Sequence, residues 1–140
     1  MKLFPLLIFC IIIPFASAMT IEEQSEIIYY NSTSELNYAD NVNIWIGENI
    51  RYNASDSRYV NSTNITWANR VGDCSEIALL GERMLKPYID AHVVSGMVGT
   101  YHHDTVRLHI DKIIRYMDHA NELGFDEMYT GLDPSELVIE

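Results

Sequence analysis

Between Leu36 and Ile50 the apolar residues Leu36, Ala39, Val42, Trp45, Ile46 and Ile50 keep helical spacing, with Ser34 ahead of them as a cap. A second stripe, Ile77, Ala78, Leu80, Met84 and Leu85, has the same period and predicts a helix ending near Lys86-Pro87. Asn53 to Asn64 is a polar loop, and Asn64 to Arg70 reads as one helical turn leading into that helix. The pattern then changes. Ala91 to Val98 is rich in β-branched residues and interrupted by Gly96, Thr105 to Ile110 alternates, and Ile113 to Met117 forms a second short strand. Asp111-Lys112 between them predicts a hairpin with Ile110 opposite Ile113. Thr20 to Ser32 shows no element beyond a short acidic stretch, and Asp118 to Glu140 offers only a helical turn near Ala120 to Leu123 and a turn at Leu132 to Ser135. Helices followed by strands predict an α+β fold.

The chain has 140 residues, enough for one domain. Lys2, the apolar run Leu3 to Phe15 and Ala16-Ser17-Ala18 together form the pattern of a secretory signal peptide, and the run is short for a membrane span. The expectation is a leader over residues 1–18, a single domain over 19–140, no membrane span in the mature chain, and a secreted or cell-surface location. Without Lys2 the basic residues fall from nine to eight against twenty acids, a net charge of −12. That excludes nucleic acid as an expected partner, because phosphate backbones are held by basic patches. Asn31, Asn53, Asn61 and Asn64 begin N-x-S/T sequons, so an exported chain has four candidate glycan sites.

Cys74 is the one cysteine after the leader, so no internal disulfide is available. It is either a buried apolar filler, half of an intermolecular bridge, or a reactive thiol. Its position favours reactivity. Asp73 is a helix N-cap and Glu76 completes a capping box, which sets Cys74 at the first helical position against the positive end of the dipole. The hairpin supplies a partner. With Ile110 opposite Ile113, Thr105 stands opposite Asp118, and His103 shares the face of Thr105, so His103 and Asp118 become diagonal neighbours. A carboxylate there would hold the imidazole as a general base requires. The His103 face also carries Arg107 and His109, whereas Val106, Leu108 and Ile110 line the opposite one. A sheet covered on both faces would reconcile the two. His102, His103, Asp104, His109 and Asp111 crowd together but fit no standard metal pattern, and alternation divides them between faces. No metal and no other cofactor is expected.

Cys74, His103 and Asp118 resemble the catalytic set of the transglutaminase-like superfamily, whose members share a papain-like α+β core. Gly72-Asp73-Cys74-Ser75-Glu76-Ile77-Ala78-Leu79-Leu80 is similar to the Gly-x-Cys block that opens the family's cysteine helix. Trp45 to Tyr52 resembles the preceding helix and its exit, Ile89 to Gly96 the strand that crosses the core, and His103 to Leu108 the histidine block. The match runs from about Leu36 to Asp118. Thr105 replaces the usual Trp, Arg107 an acid, and Asp118-His119-Ala120 the usual Asp-Pro-Thr, a tripeptide that Asp133-Pro134-Ser135 resembles more closely. The resemblance implies a cysteine helix packed on an antiparallel sheet, with Cys74 as nucleophile, His103 as base and Asp118 as its orienting acid, Asp133 being the alternative. It implies amide-bond chemistry on a protein or peptide substrate through an acyl-enzyme, with hydrolysis by a peptidase or amidase favoured over transamidation. The alternative is a non-catalytic surface or binding module that keeps the fold.

Overall fold

The computed structural model describes residues 18–54, 60–98, 101–117, 128–130 and 137–139. Four helices and seven strands follow in chain order among them: α1 (Ile21–Tyr30), α2 (Glu35–Asn49), β1 (Arg51–Tyr52), α3 (Thr63–Asn69), β2 (Val71–Gly72), α4 (Cys74–Leu85), β3 (Asp90–Val98), β4 (Tyr101–Ile110), β5 (Ile113–Met117), β6 (Met128–Thr130) and β7 (Leu137–Ile139). The fold is α+β, as the change of period predicts. None of the helices among the described residues is long and apolar enough to cross a membrane.

The helix α4 is the hub. Ile77, Ala78, Leu80, Gly81, Met84 and Leu85 are all buried, a wider apolar surface than a helix lying on one sheet needs. The reason is that α4 packs on β3 and β4 and is also touched by α1, α2 and α3. Burying one such Leu or Met contributes roughly 1.5–3 kcal/mol, so α4 concentrates much of what holds helices and sheet together. The sheet residues of the same core, Ala91, Val106, Leu108, Ile110 and Met117, are fully buried.

The larger sheet is antiparallel with strand order β6-β5-β4-β3-β7. Ile110 pairs with Ile113 as the hairpin rule requires, and Asp111 and Lys112 both adopt positive φ, 54° and 64°. Two left-handed residues in a two-residue loop match the twist of the flanking strands. Gly96 does not interrupt β3, which runs unbroken through it because Gly96 pairs with His103 on one side and Ile139 on the other. Strand β4 begins at Tyr101, earlier than the alternation from Thr105 indicates.

Thr20 to Ser32 is the clearest departure from the sequence reading. It contains α1, opened by a capping box in which the Thr20 hydroxyl accepts from the Glu23 N–H and the Glu23 carboxylate accepts from the Thr20 N–H. The apolar period is weak there because a serine occupies a core position. Ser25 is buried and bonds the Met84 carbonyl at 2.6 Å, beside the Tyr38 hydroxyl at 2.5 Å from the same oxygen. Met84 lies in the last turn of α4, where carbonyls run out of intrahelical donors. Two hydroxyls from α1 and α2 meet that need. Burial pushes the Tyr38 phenol up to about 12, so it keeps its proton and remains a donor.

The outer face of the sheet is graded. At the hairpin end His92, Arg107 and His109 are exposed, so the sheet is not covered on both faces there. Farther along β4, His103 and Thr105 are each only 4 % exposed.

Candidate active site

Three short elements bring Cys74 to its place. Arg70 ends α3 in the left-handed conformation (φ 57°, ψ 33°) and turns the chain into β2. Its guanidinium lies 4.0 Å from the ring centre of Trp67 and 5.1 Å from that of Trp45, which stack on each other. Strand β2 pairs in parallel with β1, with Tyr52 opposite Gly72, and the Asn53 N–H donates to the Gly72 carbonyl at 2.9 Å. Gly72 is packed so closely that a Cβ would stand 3.0 Å from Thr66 Cγ2 and 3.1 Å from Glu76 Cβ. The glycine of the Gly-x-Cys block is therefore favoured by close contact.

The predicted cap is present. Asp73 Oδ1 accepts from the Glu76 N–H at 3.0 Å, and Glu76 Oε2 accepts from the Asp73 N–H at 3.1 Å. Glu76 is buried, and its other oxygen accepts from the Asn61 N–H at 2.8 Å, so one carboxylate ties the loop before α3 to the start of α4. Cys74 is the first residue of α4, where a backbone N–H has no intrahelical acceptor. That N–H and the dipole favour negative charge at this point.

The thiol of Cys74 is free and partly buried. Its pKa lies below the ordinary thiol value, first because His103 hydrogen-bonds the sulfur. Burial opposes this by disfavouring thiolate, and the backbone N–H of Asp104 adds a further donor to the sulfur. Cys74 and His103, far apart in the chain, thus meet. The two remaining candidates, Asp118 and Asp133, lie outside the described residues. The register of β4 and β5 is described as far as Val106 opposite Met117, where the Thr105 hydroxyl donates to the Met117 carbonyl.

One residue at this junction escaped the sequence reading. The Asp104 carboxylate accepts from Ser75 Oγ and from Ser95 Oγ, each at 2.5 Å. The signal was an acid on the inward face of β4, two residues before Val106 and in line with Leu108 and Ile110. Among the described residues no group of three or more His, Cys, Asp or Glu side chains is placed to hold a metal ion. His92 pairs with Asp90 at 2.9 Å instead.

No family model and no curated protein matches the sequence. Solved structures do match the fold. A candidate protease of Parabacteroides distasonis superposes with a TM-score of 0.63 at 16 % identity, over 71 % of this chain and 23 % of its own. LapG of Legionella pneumophila gives 0.66 at 11 % identity, over 86 % of this chain and 75 % of its own. A candidate cysteine protease of Cytophaga hutchinsonii gives 0.56 at 20 % identity, over 83 % of this chain and 44 % of its own. A TGase is also among the matched structures. The fold is transglutaminase-like, as the Gly-x-Cys block implies. The chain spans less than half the length of the Parabacteroides and Cytophaga proteins.

Proposed function

We propose that this chain is a cysteine enzyme that cleaves amide bonds of a protein or peptide through an acyl-enzyme. The observation that carries the reading is the thiol of Cys74 at the first position of α4, hydrogen-bonded to His103 and held below the ordinary thiol pKa. Matched structures named as a candidate protease and a candidate cysteine protease are consistent with it.

In this scheme the sulfur attacks the substrate carbonyl as thiolate, its proton having moved to His103. The Cys74 backbone N–H donates to the oxyanion of the tetrahedral intermediate. His103 then protonates the leaving amine, which departs with the C–N bond pair, and leaves a thioester on Cys74. Water attacks the thioester with His103 as base, releasing acid product and free thiol. An amine in place of water would give transamidation; hydrolysis is the outcome we favour. Asp118 serves as the acid that orients His103, with Asp133 as the alternative. The proposal includes export, with residues 1–18 as a leader, glycans at one or more of the four sequons, and action outside the cell.

Alkylation by iodoacetamide tests the core of this. Thiolate alone reacts, so the rate rises with pH through the Cys74 pKa, and a depressed pKa moves that rise to lower pH than for a free thiol. His103→Ala removes the largest depressing contact and shifts the rise upward. A wild-type profile like that of free cysteine, unchanged by His103→Ala, would overturn the proposal and leave the non-catalytic module.

A further inference from the structure

We propose that Asp104 is a positioning residue, its carboxylate clamped between Ser75 on α4 and Ser95 on β3 so as to fix how Cys74 faces His103. The inference rests on the reading of Cys74 and His103 given above, and it adds a residue to the machinery.

The geometry makes the case. Ser75 Oγ donates to one carboxylate oxygen and Ser95 Oγ to the other, both at 2.5 Å. An ionised carboxylate only accepts, so both hydroxyls must donate, and each bond is charge-assisted. The clamp spans three elements. Ser75 is one peptide from Cys74, and Asp104 is one peptide from His103. The Asp104 backbone N–H itself points at the Cys74 sulfur. Helix start and strand are therefore joined twice, by side chain at Ser75 and by backbone at Cys74. Any slip of α4 along β4 would break both links and change the sulfur–imidazole distance.

An acid is a poor choice here on other grounds. Taking a carboxylate out of water costs more than an apolar contact of like size would. A negative charge near the sulfur also disfavours thiolate, and the positive end of α4 offsets only part of that. What the carboxylate supplies, and an apolar or amide side chain does not, is two acceptors in one rigid plane for two hydroxyl donors. Productive alignment is worth that cost, because displacement of a reacting group by about 1 Å can lower the rate about 100-fold.

Asp104→Ala and Ser95→Ala, compared with wild type and His103→Ala, test the clamp. The measurements are the pH profile of iodoacetamide alkylation, kcat and KM on a peptide amide, and urea unfolding. The clamp predicts that Asp104→Ala moves the alkylation rise to higher pH and lowers kcat about 100-fold with KM little changed. Ser95→Ala keeps the charge and gives the same changes at smaller size. A charge effect alone has the opposite sign: losing the carboxylate would move the rise to lower pH. A merely structural role would lower the urea midpoint and leave the profile where it was. Either result overturns the inference, and if Asp104→Ala does not fold, an unchanged profile in Ser95→Ala does so. Should His103→Ala shift the profile while both clamp variants leave it unmoved, only the clamp fails. An ordinary wild-type thiol would remove the clamp together with the reading it rests on.

Discussion

At the scale of the residue, the proposed mechanism gives His103 an orienting acid. The β4–β5 register is described to Val106 opposite Met117, and the hairpin rule, read from the sequence, expects Asp118 next, opposite Thr105 and diagonal to His103. The Thr105 hydroxyl on the Met117 carbonyl helps to hold the strands together at that end. We therefore expect Asp118→Asn to lower turnover by up to about 10⁴-fold, the size of effect seen when a triad imidazole loses its orienting carboxylate. Asp133→Asn is expected to change turnover little. Both are read as kcat on the peptide amide that the wild type cleaves. The reverse result would assign the acid to Asp133 and identify Asp133-Pro134-Ser135 with the family tripeptide.

At the scale of the element, the junction α3–β2–α4 is built around Gly72. A methyl there meets Thr66 Cγ2 at 3.0 Å and Glu76 Cβ at 3.1 Å, so these two side chains, one of them in the capping box, must give by a few tenths of an ångström. Gly72→Ala should cost roughly 1–3 kcal/mol, the usual range for overpacking, measured as a fall in the urea midpoint. This junction was legible in the sequence because its signals are local: Asp73 and Glu76 three residues apart, then an apolar stripe. The hairpin was legible for the same reason, alternation on either side of Asp111-Lys112. Helix α1 was harder. Its capping box stands in Thr20 and Glu23, yet its buried face includes Ser25, whose reason for being inside is a carbonyl 59 residues away. Asp104 was harder still. Its partners Ser75 and Ser95 come from two other elements, and nothing near it in the chain indicates that either hydroxyl is aimed at it.

At the scale of the whole molecule, the Met84 carbonyl joins three helices. Ser25 and Tyr38 each place a hydroxyl on it, and they also lie 2.8 Å from each other. Either hydroxyl alone can satisfy that oxygen. Ser25→Ala and Tyr38→Phe should each cost about 0.5–1.5 kcal/mol. The double variant should cost more than their sum, since it alone strands a buried carbonyl, at about 1–3 kcal/mol. Urea unfolding of the four proteins in this cycle measures the coupling, and strict additivity would show that the two bonds are independent.

The sheet order has a bearing on how the protein is made. Gly96 is flanked by His103 on one side and by Ile139 of β7 on the other. On a ribosome, Cys74 and His103 emerge well before β7. A nascent chain at that stage has the thiol and the imidazole, but β3 still has a free edge at the level of the site. Completion of the sheet waits on β7, so Cys74 and His103 are both synthesised before the strand that closes this edge of β3. A chain halted before β7 would expose that edge to pairing with other strands.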